Sequence, residues 1–83
     1  MITTTDALAR IQQIFRDQFL DDRLAIDENS SPETIEAWDS LAQVSLLAAI
    51  EAELHAQFTA DEMGEIASVG DILRCLRAKA LVA

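Results

Sequence analysis

Apolar residues recur three and four positions apart along most of this 83-residue chain. Nowhere do they alternate with polar residues as they would in a half-buried strand. Because helix and strand place side chains with different periods, this pattern confines the chain to helical folds. A chain of this length forms one domain with a modest core. We therefore predict an all-α, single-domain bundle over residues 1–83, built from three principal helices and one short helix.

Two long helices are predicted in the first two thirds of the chain, joined by a long connection. The first runs from about Thr5 to Leu20, and the second runs from Asp39 or Ser40 to near His55. The connection, residues 21–38, contains a turn signal and is long for a loop without a functional role. We expect four apolar side chains to hold it against the core: Leu24, Ile26, Ile35 and Trp38.

The last third of the chain predicts the short helix and the final principal helix. Residues 59–62 read as a capping box that opens the short helix, which runs through about Ile66. Ser68 caps the last helix, and Ala80 falls on the apolar face of that helix. We expect the core to include Phe15, Leu46, Ile50, Leu54 and Leu73.

The second helix carries two apolar stripes. Its wide stripe, Leu46, Leu47, Ile50 and Leu54, is expected to face the core. A narrower stripe, Leu41, Val44 and Ala48, is turned about 100° away. Either both stripes are buried, or Leu41 and Val44 form a docking patch beside Ser40. We expect burial for Val44 and docking for Leu41, and we treat both as candidate partner-binding residues.

Asp39 and Ser40 mark the start of this second helix. Asp39 is a good N-cap, because its carboxylate can accept hydrogen bonds from the free N–H groups of the first turn. Ser40 then falls at the first helical position, where its hydroxyl is exposed at the positive end of the helix dipole. An anionic group attached to that hydroxyl would be stabilised by the same field. The plain alternative is that both residues only cap the helix.

Charge is distributed unevenly along the chain. The net charge of −9 argues against nucleic acid or anionic membranes as partners. Residues 24–73 contain eleven acids and no Lys or Arg, so all six basic residues lie in the terminal segments. Such a field either keeps a small protein soluble or attracts basic partners. The acids that we expect to attract partners are Glu51, Glu53, Asp61, Glu62 and Glu65.

The sequence shows no arrangement typical of catalysis or of metal binding, and nothing in it places His55 and Cys75 together as a nucleophilic pair. There is no glycine-rich phosphate loop, and a single histidine, His55, with a single cysteine, Cys75, cannot build a metal cluster. Ser40 has no evident base, because His55 lies about four turns along the same helix. We therefore expect neither enzyme activity nor a metal site.

The sequence also suggests a compartment. The N-terminus has no basic region followed by an apolar run, so we expect no secretory signal. The longest apolar run, residues 46–50, is far too short to span a bilayer. We expect a cytoplasmic protein without membrane insertion.

Asp39-Ser40-Leu41 and the residues after it resemble the acyl carrier protein family. The family's signature is an Asp-Ser-Leu whose serine is esterified by 4′-phosphopantetheine. Residues 68–72 resemble the start of the family's last helix, and the similarity extends over about residues 5–80 without a gap after Ser40. Downstream of the serine, the residues at the family's apolar spacings are Leu41, Val44, Leu46, Leu47 and Ile50.

Three positions depart from the commonest pattern of that family. Ala37 stands where a glycine is often found, and Ala42 and Ser45 stand where the family usually has acids. The enzymes of housekeeping fatty acid synthesis read those acids with arginines. The resemblance therefore favours a specialised, free-standing carrier, with aminoacyl carriers included.

The resemblance implies a function and a set of partners. Ser40 would accept 4′-phosphopantetheine from coenzyme A through a magnesium-dependent transferase. Asp39 would help orient that transferase and its metal, and Leu41 would contact the transferase beside Ser40. The thiol of the arm would then carry acyl or aminoacyl groups as thioesters between loading and accepting enzymes. We expect a monomer that catalyses nothing. The alternative is an acidic helical adaptor without a prosthetic group.

Overall fold

The computed structural model describes residues 2–82 and contains four α-helices. They are α1 (Thr4–Phe19), α2 (Ser40–Leu54), α3 (Ala60–Glu65) and α4 (Val69–Ala78). Within residues 2–82 the only extended pairing is an isolated parallel bridge between Ile2 and Val82. The predicted all-α bundle, with three principal helices, one short helix and a long first connection, is confirmed.

The helices begin at the capping residues that the sequence contains. Thr3 caps α1, and Ser68 caps α4 by accepting a hydrogen bond from the N–H of Asp71 at 3.2 Å. The predicted capping box opens α3: Thr59 accepts from the N–H of Glu62 at 3.1 Å, and Glu62 accepts from the N–H of Thr59 at 2.9 Å. These side chains satisfy N–H groups that the start of a helix leaves without intrahelical partners.

Helices α1 and α4 end slightly earlier than predicted. Leu20 and Ala80 adopt the left-handed conformation, with φ angles of 52° and 60°. Beyond α4, the N–H of Leu81 donates to the carbonyl oxygen of Leu76 at 3.0 Å, which turns the chain away from the helix axis. Ala80 is therefore exposed, and its predicted place on the buried face of α4 is wrong. The chain has no glycine there to signal the end of the helix.

The core lies between the principal helices, and α2 contributes the most to it. Each of the five side chains expected in the core is buried: Phe15, Leu46, Ile50, Leu54 and Leu73. Leu47 is buried with them, so the wide stripe of α2 faces inward as predicted.

The long connection between α1 and α2 is held first by side chains of α1. The Arg16 Nε–H donates to the carbonyl oxygen of Leu24 at 2.7 Å. The Gln12 side-chain oxygen accepts from the N–H of Ile26 at 3.0 Å. Arg16, which the helical pattern places on the solvent face, is half-buried because it makes this contact.

The middle of the connection is held by the start of α4. The carbonyl oxygens of Ser30 and Glu28 accept from the N–H groups of Val69 and Gly70, both at 2.9 Å. A Cβ at position 70 would lie 2.9 Å from the Glu28 carbonyl oxygen, so glycine is needed for this close approach. The connection therefore satisfies backbone donors of a helix that lies far from it in sequence.

The end of the connection is anchored by Trp38. This side chain is 2% exposed, and its ring meets the ring of Phe15 edge-on at a centroid distance of 5.1 Å. Leu24, Ile26 and Ile35 are partly buried and pack against the same core. The predicted anchoring of the connection, with Trp38 as a packing residue, is confirmed.

The two stripes of α2 allow a matched test of the core. Leu46→Ala should lower the free energy of unfolding by about 2–5 kcal/mol, because Leu46 is fully buried. Leu41→Ala on the same helix should change it by less than about 0.5 kcal/mol, because Leu41 is 82% exposed. Urea denaturation of both variants measures the difference. Equal losses of stability would show that the core face of α2 is assigned wrongly.

Candidate functional site

The site begins at Ser40, the first residue of α2. Asp39 precedes it in extended conformation, and the Asp39 Oδ1 atom accepts from the N–H of Ala42 at 2.9 Å. Ser40 is exposed, and beyond the capping Asp39 the first turn of α2 contains no acidic side chain that would offset the positive end of the helix dipole. The hydroxyl of Ser40 therefore stands at the positive end of a 15-residue helix, open to solvent.

The narrow stripe of α2 is exposed next to Ser40. Leu41 is 82% exposed and Val44 is 63% exposed, and we call these two side chains the docking patch. Ala48, the third member of the stripe, is exposed as well. The expected burial of Val44 is wrong, because the packing of α2 against the core covers the face that carries Leu46 and Leu47.

A cleft of about 370 Å³ lies beside Ser40, between the start of α2 and α3. Its walls are formed by Pro32, Trp38, Asp39, Ser40, Gln43, Met63, Gly64 and Ile66. The side-chain oxygen of Gln43 accepts from the indole N–H of Trp38 at 2.6 Å. The Gln43 Nε2 group donates to the carbonyl oxygens of Ile66 at 3.1 Å and Met63 at 3.4 Å. We call this set of three hydrogen bonds the Gln43 clasp.

Sequence reasoning did not single out Gln43. A signal was present, because Gln43 lies three and four positions before Leu46 and Leu47, at the edge of the buried stripe. A polar side chain at such a position needs hydrogen-bond partners. Its partners come from the end of the connection and from the C-terminal end of α3, and a sequence pattern does not show that these segments meet at α2.

Two of the five acids expected to attract partner proteins already bind groups within the fold. The Glu51 Oε2 atom accepts from the N–H of Phe58 at 2.8 Å. Glu62 belongs to the capping box of α3 and pairs with Lys79, whose Nζ lies 2.9 Å from Glu62 Oε1. Hydrogen bonds from Lys79 and from the N–H of Thr59 hold the pKa of the Glu62 carboxyl below its ordinary value of 4.5.

The other three expected acids, Glu53, Asp61 and Glu65, are exposed. Glu53 lies near the C-terminal end of α2, whereas Asp61 and Glu65 lie on α3, close to the cleft beside Ser40. Of the five expected acids, these three are the ones that are exposed to solvent.

The only histidine of the chain does not lie near Ser40. His55 caps the opposite end of α2, about 22 Å along the helix axis from Ser40. Cys75 is partly buried on α4, and burial raises the pKa of its thiol. Within residues 2–82, no three His, Cys, Asp or Glu side chains are grouped so that they could hold a metal ion.

None of the four described helices combines the length and the apolar content that crossing a bilayer requires.

No protein-family model matches this chain, and no curated protein sequence matches it. Its structure is similar to the solution NMR structure of a holo acyl carrier protein from Geobacter metallireducens. The two share 30% sequence identity and superpose with a TM-score of 0.79, over 89% of this chain and 85% of the other.

With this identity and coverage, the chain belongs to the acyl carrier protein family. The family resemblance seen in the sequence is therefore confirmed. Members of this family are not enzymes but carry groups between enzymes, so the chain is a carrier protein and not an enzyme.

The contact between Glu62 and Lys79 predicts how stability depends on pH. A carboxyl whose pKa is lowered by folding stabilises the fold above its unfolded pKa, and this contribution is lost as the pH falls through the folded pKa. The free-energy difference between wild type and Glu62→Gln should therefore be largest at neutral pH and shrink below about pH 4.5.

Urea denaturation from about pH 7 to about pH 3 measures this difference. Glu53→Gln is the control, because Glu53 is exposed on α2. A difference between wild type and Glu62→Gln that stays constant over this range would contradict the role of the ionised carboxylate.

Proposed function

We propose that Ser40 is the attachment site of 4′-phosphopantetheine, and that the protein carries acyl or aminoacyl groups between enzymes of a biosynthetic pathway. One observation carries this proposal. In a member of the acyl carrier protein family, the serine of an Asp-Ser-Leu segment stands exposed at the first position of a long helix.

The residues around Ser40 fit such a group. A phosphodiester on the Ser40 hydroxyl would lie at the N-terminus of α2, where the free N–H groups and the dipole favour negative charge. The Asp39 carboxylate is turned toward the N–H of Ala42 by its capping bond. The adjoining cleft leaves room beside the attachment point. Bound there, the group supplies a thiol that holds its cargo as a thioester.

The proposed partners are a transferase and the enzymes that load and accept the cargo. The transferase joins the Ser40 oxygen to the phosphopantetheine phosphate of coenzyme A, the serine loses its proton, and adenosine 3′,5′-bisphosphate leaves. Asp39 is proposed to help orient that transferase and its magnesium ion. The proposed compartment is the cytoplasm, where the free thiol of Cys75 would stay reduced. The protein is proposed to act as a monomer.

Recognition is proposed to rest on the docking patch, with negative charge around it. Leu41 is next to Ser40 and is the most exposed large apolar side chain of α2. Glu53, Asp61 and Glu65 add long-range attraction for basic partners, while Glu51 and Glu62 contribute charge that is already engaged within the fold.

Mass spectrometry tests the attachment site directly. Incubation with coenzyme A, magnesium and a broad-specificity transferase should add one phosphopantetheine to wild type and none to Ser40→Ala. Ser45→Ala is the matched control, because Ser45 is an exposed serine five positions further along the same helix. If wild type gains no mass with several such transferases, the adaptor alternative is favoured instead.

Loading kinetics test the docking patch. Leu41→Ala should lower the second-order rate of loading by roughly fivefold or more, as expected for an apolar residue at the centre of a contact. Glu53→Gln should have a smaller effect, because an exposed ion pair contributes about 1 kcal/mol or less. Glu51→Gln serves as the control for an acid with an internal partner.

The same loading rate, measured at increasing salt concentration, tests the contribution of the exposed acids. The loading rate should fall as ionic strength rises, because exposed charges are screened beyond about 8–10 Å at physiological salt. A rate that depends on neither salt nor Leu41 would reject this docking surface, whatever the result at Ser40.

A further inference from the structure

The cleft beside Ser40 ends at the Gln43 clasp. Gln43 is the last residue of α2 that contributes to its walls, whereas the inward-facing residues further along the helix, Leu46, Leu47 and Ile50, are fully buried and do not line the cleft. Among residues 2–82, every buried side-chain polar atom has a hydrogen-bond partner. The Gln43 clasp therefore leaves no buried side-chain polar atom without a partner.

A group that moved from Ser40 into the core would have to displace Gln43. The indole N–H of Trp38 would lose its acceptor, and the carbonyl oxygen of Ile66 would lose its donor. Trp38 is 2% exposed and Gln43 is partly buried, so water replaces these hydrogen bonds only in part. Each partner lost at such a site shifts an equilibrium by roughly fivefold to tenfold, which favours the closed arrangement.

We propose that Gln43 is a specificity-determining residue: its side chain closes the boundary between α2 and α3, so that cargo tethered at Ser40 stays outside the buried core. This inference rests on the proposed modification of Ser40. It assigns the carrier to short or polar acyl groups, which need no apolar shelter. A long alkyl chain would stay exposed to water and would gain nothing from the buried core.

The reactivity of the tethered thioester tests the proposal. Wild-type holo-protein is loaded with an acetyl or an octanoyl group, and the loss of each thioester to hydroxylamine is followed by intact mass. We expect the two rates to agree within about twofold, because neither thioester is sheltered. On Gln43→Ala the octanoyl thioester should react roughly fivefold to tenfold more slowly than the acetyl thioester.

Gln18→Ala is the matched control, because Gln18 is an exposed glutamine on α1. It should behave like wild type. Gln43→Glu is the second variant: it keeps an acceptor for Trp38 but cannot donate to Ile66 and Met63. It should also slow the octanoyl thioester, and it keeps the test decisive if Gln43→Ala does not fold.

Trp38 gives an independent readout, because it is the only tryptophan in the chain. Its indole N–H resonance should be the same in acetyl and octanoyl wild type, and it should move in Gln43→Ala even without cargo. The inference would be overturned if the octanoyl thioester reacted much more slowly than the acetyl thioester on wild type. It would also be overturned if the two thioesters reacted equally fast on both Gln43 variants. A wild-type protein that gains no phosphopantetheine would instead refute the proposed function.

Discussion

The position of Ser40 depends on the packing of Trp38. Twenty residues without regular structure separate α1 from α2, and such a segment does not by itself fix where the next helix begins. Trp38 fixes it by placing its ring against Phe15 of α1 and by donating its indole N–H to Gln43 of α2. An edge-to-face aromatic pair adds about 0.5–1.5 kcal/mol to the gain from burial. Asp39 and Ser40 follow directly, so the cap and the hydroxyl are held relative to the core.

The fold also makes the acidic field one-sided. Three basic residues of the α4 region pair with acids from other parts of the chain or from α4 itself. The pairs are Arg74 with Asp71, Arg77 with Glu28, and Lys79 with Glu62. Positive charge is thereby used to join α4 to the connection and to α3. The exposed acids of α2 and α3 have no basic residue within their own segments, so their field remains directed outward.

The sequence predicted the helices well because their limits are encoded locally. The starts of α2, α3 and α4 are capped by side chains that accept hydrogen bonds from N–H groups a few residues away: Asp39, Thr59 with Glu62, and Ser68. Such local contacts can be predicted without the tertiary fold. The end of α4 was predicted less well, since Ala80 enters the left-handed conformation without a glycine to announce it.

The spacing of apolar residues in the sequence could not predict contacts between segments that are distant along the chain. Val44 and Leu47 are both apolar residues of α2, and only the placement of the neighbouring elements leaves the first exposed and buries the second. Gln43 shows the same limit, because its partners lie 5, 20 and 23 residues away along the chain. The candidate site could therefore be located at Ser40 from sequence, but its inner wall could not.

The size of the docking patch bears on how the proposed carrier would work. Two side chains, Leu41 and Val44, supply far less area than the roughly 800 Å² per partner of a stable interface. Partners attracted by Glu53, Asp61 and Glu65 would therefore associate quickly and leave quickly, because charge raises the association rate whereas the rate of dissociation depends on the buried contact. A carrier must release each enzyme before it meets the next. A small apolar patch in a strong negative field meets that requirement, whereas burial of Val44 and a wider contact elsewhere on α2 would not.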